Sequence, residues 1–214
     1  MAAVTLEELH GFAGRALQGV SEGDPLLPLD IALIRLGLAA SVTALNHDKI
    51  EAGVAVAIGE GATPAQVQEV VSLVSGMGVH SLMASAAPIA RAYGLDTAPL
   101  TAAQQTLWDR HVGQDPFWIA FETELPGFLG AMLRLSADQF TAFFDYCAVP
   151  WKSGQVRAKL KELIAMACDA TPAHRFGPGF RLHLRNAIKL GAGRRAVAEA
   201  LDIAAAAPMH IGLR

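Results

Sequence analysis

Residues 33–82 lie on residues 163–212 without a gap, and this self-similarity at a displacement of 130 positions constrains the chain more than any other feature. Leu33-Ile34 falls on Leu163-Ile164, Ala57-Ile58 on Ala187-Ile188, and Gly61-Ala62 on Gly191-Ala192. Val67 and Glu69 fall on Val197 and Glu199, and His80 falls on His210. Identity is about one position in five, but punctuation and apolar positions keep register together. Each copy reads as a helix, a loop, a second helix stopped at Gly, a short turn and a third helix. His80 and His210, present in both copies, are expected to share a structural role such as capping a turn. The expected organisation is an N-terminal helix at 1–25, a first, degenerate copy at 26–95, aromatic-rich connecting helices at 96–154 and a second copy at 155–214.

The expected fold class is all-α, a tandem repeat of a helical-hairpin unit. The chain is rich in Ala and Leu and poor in alternating β-branched runs, which favours helix throughout. Thr5-Leu-Glu-Glu8, Thr63-Pro-Ala-Gln66, Thr101-Ala-Ala-Gln104 and Ser136-Ala-Asp-Gln139 read as capping boxes. Pro64 suits a first helical position, and Val67, Val70, Val71 and Val74 follow at one-face spacing. Gly61 and Gly191 read as helix stops, and Pro25–Pro28 and Gly94–Pro99 as linkers. Trp108, Phe117, Trp118, Phe121, Phe128, Phe140, Phe143, Phe144, Tyr146 and Trp151 are expected to be core packing rather than a ligand box.

Several function classes lose support. With 52% hydrophobic and 17% charged residues and a net charge of -3, the chain can bury a sizeable core and offers no basic footprint for nucleic acid. No apolar run approaches the length of about 20 residues that spans a bilayer, so no membrane partner is expected. The start, MAAVTLEELHG, shows no export signal, and Cys147 and Cys168 form no CxxC, so the expectation is a cytoplasmic protein with reduced thiols. No Walker loop, GxGxxG, GxSxG, HExxH or HxxxH occurs, so no cofactor and no metal is expected.

The richest stretch runs from Lys161 to Ala187. Glu162 lies on the first helix of the second copy, His174 and Arg175 lie in its loop, and Gly177-Pro178-Gly179 opens the next helix. An antiparallel hairpin brings Glu162 back near His183, where a carboxylate orients the imidazole and fixes its tautomer. In the first copy these two positions are Ala32 and Gly53, so the asymmetry points to the second copy as the site. Arg185 is two residues from His183, roughly 200° around a helix, and cannot share its direction. Arg185 lines up instead with Arg181 and Lys189, in a stripe that suits solvent or a carboxylate at a subunit boundary.

The segments KELIAMACDA, GPGFRLHLRNAIKLGA and AVAEALDIAAAAPMH resemble the carboxymuconolactone decarboxylase family, which includes the alkylhydroperoxidase-D-like proteins. PWKSG at 150–154 resembles the approach to that domain, and residues 26–82 resemble a second, degenerate copy. The resemblance implies an all-α, alkylhydroperoxidase-D-like fold that forms homo-oligomers. The peroxidase branch opens the second helix with a Cys-x-x-Cys pair followed by His; here His174, Arg175 and the GPG turn stand in that loop, so thiol peroxidase chemistry is disfavoured. The decarboxylase branch lacks those cysteines and keeps Glu, His and Arg, matching Glu162, His183 and Arg185. This chain departs from the simple decarboxylase in being a tandem and in the GPG-rich loop, where the decarboxylase tends to carry Glu.

The expected function is a cofactor-independent decarboxylase or lyase acting on a small acidic lactone- or enol-type substrate. His183 and Glu162 are the expected catalytic pair, and Arg185, His174 and Arg175 the expected substrate-binding residues. An isomerase or hydrolase using the same residues, and a non-catalytic oligomeric scaffold or small-ligand binder, are the alternatives.

Overall fold

The structure, a computed structural model, describes residues 3–212. Among these every regular element is helical. The chain divides into two compact units, 1–77 with 150–214, and 78–149. The sequence reading put the connecting segment at 96–154; the second unit starts earlier because α5 (His80–Ala92) packs against α8 (Phe128–Leu135).

The first unit holds α1 (Leu6–Ala16), α2 (Pro28–Ala40), α3 (His47–Gly59) and α4 (Pro64–Ser75) from the N-terminal side. From the C-terminal side it holds α10 (Ala158–Asp169), α11 (Gly177–Lys189) and α12 (Arg194–Ala205). The last three begin 130 positions after α2, α3 and α4. Helix α2 packs on α3 and α4, and α10 on α11 and α12; α2 also meets α10 and α12, while α10 meets α4. Helix α10 is buried at every position from Leu160 to Asp169, and α2 is buried from Ala32 to Ala39 except at Arg35. These two helices form the centre of the core, with α1 laid on α11.

Local chemistry explains the helix ends. Thr5, Thr63 and Thr101 form complete capping boxes, and Ser136 accepts the Gln139 N–H. Gly61 (φ 86°) and Gly191 (φ 87°) occupy left-handed positions after α3 and α11. The Ala62 N–H reaches the Ala57 carbonyl at 2.8 Å and the Ala192 N–H reaches the Ala187 carbonyl at 2.9 Å, which closes each helix with the bond that a left-handed glycine permits. Helix α12 has no side-chain cap; its first N–H groups, from Arg194 and Arg195, donate to the carbonyls of Ser21 and Glu22 in the linker after α1.

Two glutamates tie the halves of this unit together. Glu69 on α4 accepts the N–H groups of Gln155 and Val156, just before α10, and bonds the Ser153 hydroxyl and Lys161 Nζ. Glu199 on α12 accepts the Leu26 N–H at 2.7 Å, just before α2. Glu199 and Leu26 stand 130 positions from Glu69 and Val156, with the two partners in reversed order along the chain.

The second unit holds α5, α6 (Ala102–His111), α7 (Pro116–Glu124), α8 and α9 (Ala137–Ser153), the last continuing into the first unit. Phe121, Phe128, Phe140, Phe143 and Phe144 are buried against one another and against Trp118, whose ring is 4.7 Å from that of Phe144. Tyr146 and Trp151 lie exposed, outside that cluster. The expected shared role of His80 and His210 does not hold: His80 opens α5 and is buried, whereas His210 is exposed beyond α12. The sequence reading also found no run able to cross a bilayer. The helical run Pro64–Ala92, 29 residues counting a 3-10 turn at Gly76–Val79, meets that test by length and composition. Scattered Gln, Ser and His break up its apolar character to the eye, and Glu69 within it is buried in an ion pair.

Candidate functional site

The site is built by the α10–α11 hairpin. Helix α10 ends at Asp169, and the chain reverses through a loop in which the His174 and Arg175 N–H groups donate to the Thr171 carbonyl. The Phe176 N–H then returns to the Asp169 carbonyl at 2.9 Å, and Arg175 is forced to φ 49°. The α2–α3 loop makes the same bonds, from Ala44 and Leu45 to Ser41 and from Asn46 to Ala39, with Leu45 at φ 38°. A left-handed non-glycine residue costs energy, so each loop is held by its returning bonds.

Gly179, in the first turn of α11, admits no side chain: a Cβ there would run into the Asp169 carboxylate and approach Phe176 Cδ1 at 2.9 Å. That close approach seats α11 against the end of α10. One turn further on, His183 Nδ1 lies 2.6 Å from Glu162 Oε2. Asn186, three residues along the same face, donates from Nδ2 to Glu162 Oε1 at 3.2 Å. Both oxygens of Glu162 are thus occupied, and the imidazole orientation is fixed. Side-chain exposure is 16% for His183 and 6% for Glu162, so the pair is largely shielded from solvent.

Burial alone would push the His183 pKa down, but the hydrogen bond and charge of Glu162 outweigh it and raise it above its ordinary value. Asp169 is fully buried; burial raises its carboxyl to about 8 against the opposing pull of His183, so it holds a proton near neutral pH. His174 Nε2 stands 3.6 Å from Asp169 Oδ1, its ring stacks on Phe176, and burial lowers its pKa. The cluster therefore sets the Glu162–His183 pair, whose contact favours the protonated imidazole, beside Asp169 and His174, which burial drives toward their neutral forms. This balance lets charge persist in a low-dielectric place.

The hairpin thus unites Glu162, His183 and, through Asp169, His174. Arg175 is exposed in the loop, and Arg185 is exposed on the flank of α11 with its guanidinium 5.3 Å from the Phe12 ring of α1. Asp169 is the member that sequence reasoning missed. Its signal is an acidic residue closing a helix that is otherwise apolar from Leu163 onward. Burial pushes the Cys168 thiol far up and Cys147 to about 11, so neither is an activated thiolate.

Residues 137–208 match the model of the carboxymuconolactone decarboxylase family. The fold is similar to the crystal structure of a candidate gamma-carboxymuconolactone decarboxylase subunit from Burkholderia xenovorans, with a TM-score of 0.70 and 28% identity over 92% of this chain and 77% of that one. No curated protein matches the chain by sequence.

Proposed function

We propose that this chain, whose residues 137–208 match the model of the carboxymuconolactone decarboxylase family, is a carboxy-lyase in which His183 is the general acid and Glu162 its orienting partner. The observation that carries the reading is the shielded 2.6 Å contact between Glu162 and His183 Nδ1. With Nδ1 committed to the carboxylate, Nε2 is the atom left to face a substrate, and the raised pKa favours a proton on it. The substrate class supported by the family and by the Burkholderia protein is a small carboxylated lactone or its enol.

Such a substrate carries its own electron sink. The bond between ring carbon and carboxylate breaks, CO2 leaves, and the electron pair spreads onto the lactone carbonyl as an enolate. His183 Nε2–H then delivers its proton to carbon, and water re-protonates the imidazole. Glu162 steadies the imidazolium before transfer, and Asn186 holds Glu162 in place. The neutral Asp169 and His174 add no negative charge that would oppose binding of an anionic substrate.

His183→Ala is expected to lower kcat for CO2 release from carboxymuconolactone by about 10²–10⁴-fold while leaving thermal unfolding cooperative. Glu162→Gln lowers the imidazole pKa, so the basic limb of the rate profile moves to lower pH. Undiminished CO2 release in His183→Ala would overturn the assignment. Ring opening or double-bond migration without CO2 would assign the same pair to a hydrolase or isomerase.

A further inference from the structure

The first hairpin carries a cavity of about 450 Å³ between α2, α3 and α12. It is lined by Ala32 and Gly53, which stand 130 positions before Glu162 and His183, and by Val56, which stands 130 before Asn186. Small or apolar side chains thus occupy the three places where the second hairpin has its polar cluster, and the space so released stays open. Its volume falls within the range of small-molecule pockets.

Gly53 argues that this space is more than a packing fault. It lies in the interior of α3, where glycine is a poorer helix former than alanine. Its backbone does not require glycine, since it is not left-handed and an added Cβ would meet Leu36 at an ordinary 3.4 Å. A side chain is therefore tolerated at this position on grounds of fold, and its absence serves the cavity.

The lining is mostly apolar, with three charged residues: Arg35 from α2, Lys49 from α3 and Asp202 from α12. All three are exposed, and among the described residues none of them makes an ion pair. Two cations against one anion leave a net single positive charge over an apolar floor. A guanidinium and an ammonium flanking such a floor fit one carboxylate, with fork and point-charge contacts that a neutral group does not replace.

We propose that this cavity binds a small monocarboxylate with an apolar body, its carboxylate held by Arg35 and Lys49 and its body against Ala32, Gly53, Val56 and Ile203. The site is separate from the Glu162–His183 pair and does not depend on the reaction assigned to that pair.

The test is calorimetric titration of the full chain with octanoate and, as the uncharged counterpart, octanol. Octanoate is expected to bind with one site per chain, and octanol at least about tenfold more weakly. Arg35→Ala and Lys49→Ala each weaken octanoate by about tenfold, and Asp202→Asn tightens it. Gly53→Leu abolishes binding and raises the thermal midpoint of the free protein; Val56→Trp, at an exposed position, blocks the cavity independently should Gly53→Leu fail to fold. His183→Ala leaves octanoate binding unchanged, so loss of CO2 release and loss of this site are separately read. Equal affinity for octanol, binding that survives both filling variants, or binding lost in His183→Ala would each overturn the proposal. So would failure of octanoate to bind wild type, including the case in which the filling variants alter only the oligomeric state, which would assign this face to a second copy of the chain.

Discussion

At the scale of single residues, protonation governs the candidate site. His183 has a raised pKa in the folded state, so its stabilising pairing with Glu162 is complete below its unfolded value of 6.5 and is lost as pH rises through the folded value. Asp169 acts in the same direction for a different reason. Its carboxyl is raised from 3.8 to about 8, so the folded protein holds a proton that the unfolded chain releases, and stability falls as pH rises across that window. Glu69 has the opposite sign: desolvation opposes its charge, but Lys161, Ser153 and two backbone N–H groups outweigh this and lower its pKa, so its contribution is lost as pH falls below about 4.5. The thermal midpoint is therefore expected to fall from about pH 6 to pH 9, and in Asp169→Asn to fall less steeply. An unchanged slope in that variant would mean that Asp169 does not titrate in this window.

The same residues mark how far the sequence could be read. Glu162 and His183 were legible because a hairpin of known loop length fixes which turns face each other. The angular separation of Arg185 from His183 was legible from helix geometry alone, and the guanidinium lies over Phe12 on α1. The burial of Asp169 was not legible, because an acidic residue at a helix end reads as solvent-exposed until the close approach of Gly179 is known.

At the scale of elements, the helix starts at Thr5, Thr63, Thr101 and Ser136 and the stops at Gly61 and Gly191 were legible and stand where the spacing puts them, whereas the local caps of Asn46 on α3 and Asp115 on α7 were not read. The cap of α12 was not legible, since its acceptors are backbone carbonyls more than 170 residues away and carry no side-chain signature. Lys161 was equally hidden. It lies in the buried stretch of α10 and is 3% exposed, with Nζ 2.7 Å from Glu69, 2.8 Å from the Pro150 carbonyl and over the Trp151 ring. A buried cation with its donors satisfied is far more costly to break than to build. Lys161→Met is expected to lower unfolding stability by about 3–5 kcal/mol in urea titration, because it strands the Glu69 carboxylate. The double change Lys161→Met with Glu69→Leu should recover part of that loss; a cost below about 1 kcal/mol for the single change would mean that the pair is solvated.

At the scale of the whole molecule, the shared displacement of three helices and two glutamate clamps shapes the first unit. We read the two triplets as copies whose central helices, α2 and α10, pack on each other as well as on their own hairpin partners α3 and α11. Neither can open alone without exposing the other, so amide hydrogen exchange in α2 and α10 should proceed only by global unfolding and give the same free energy in both. Exchange of one at a markedly lower free energy would show that the halves open separately.

The placement of α10 more than a hundred residues after α2 has a consequence on the ribosome. At translation speeds of about 5–20 residues per second, α2 emerges on the order of ten seconds before the helix that covers it. Throughout that interval its apolar surface has only α3 and α4 for shelter. The nascent first half is thus a natural client for chaperones, and slow synthesis through residues 78–149 prolongs its exposure.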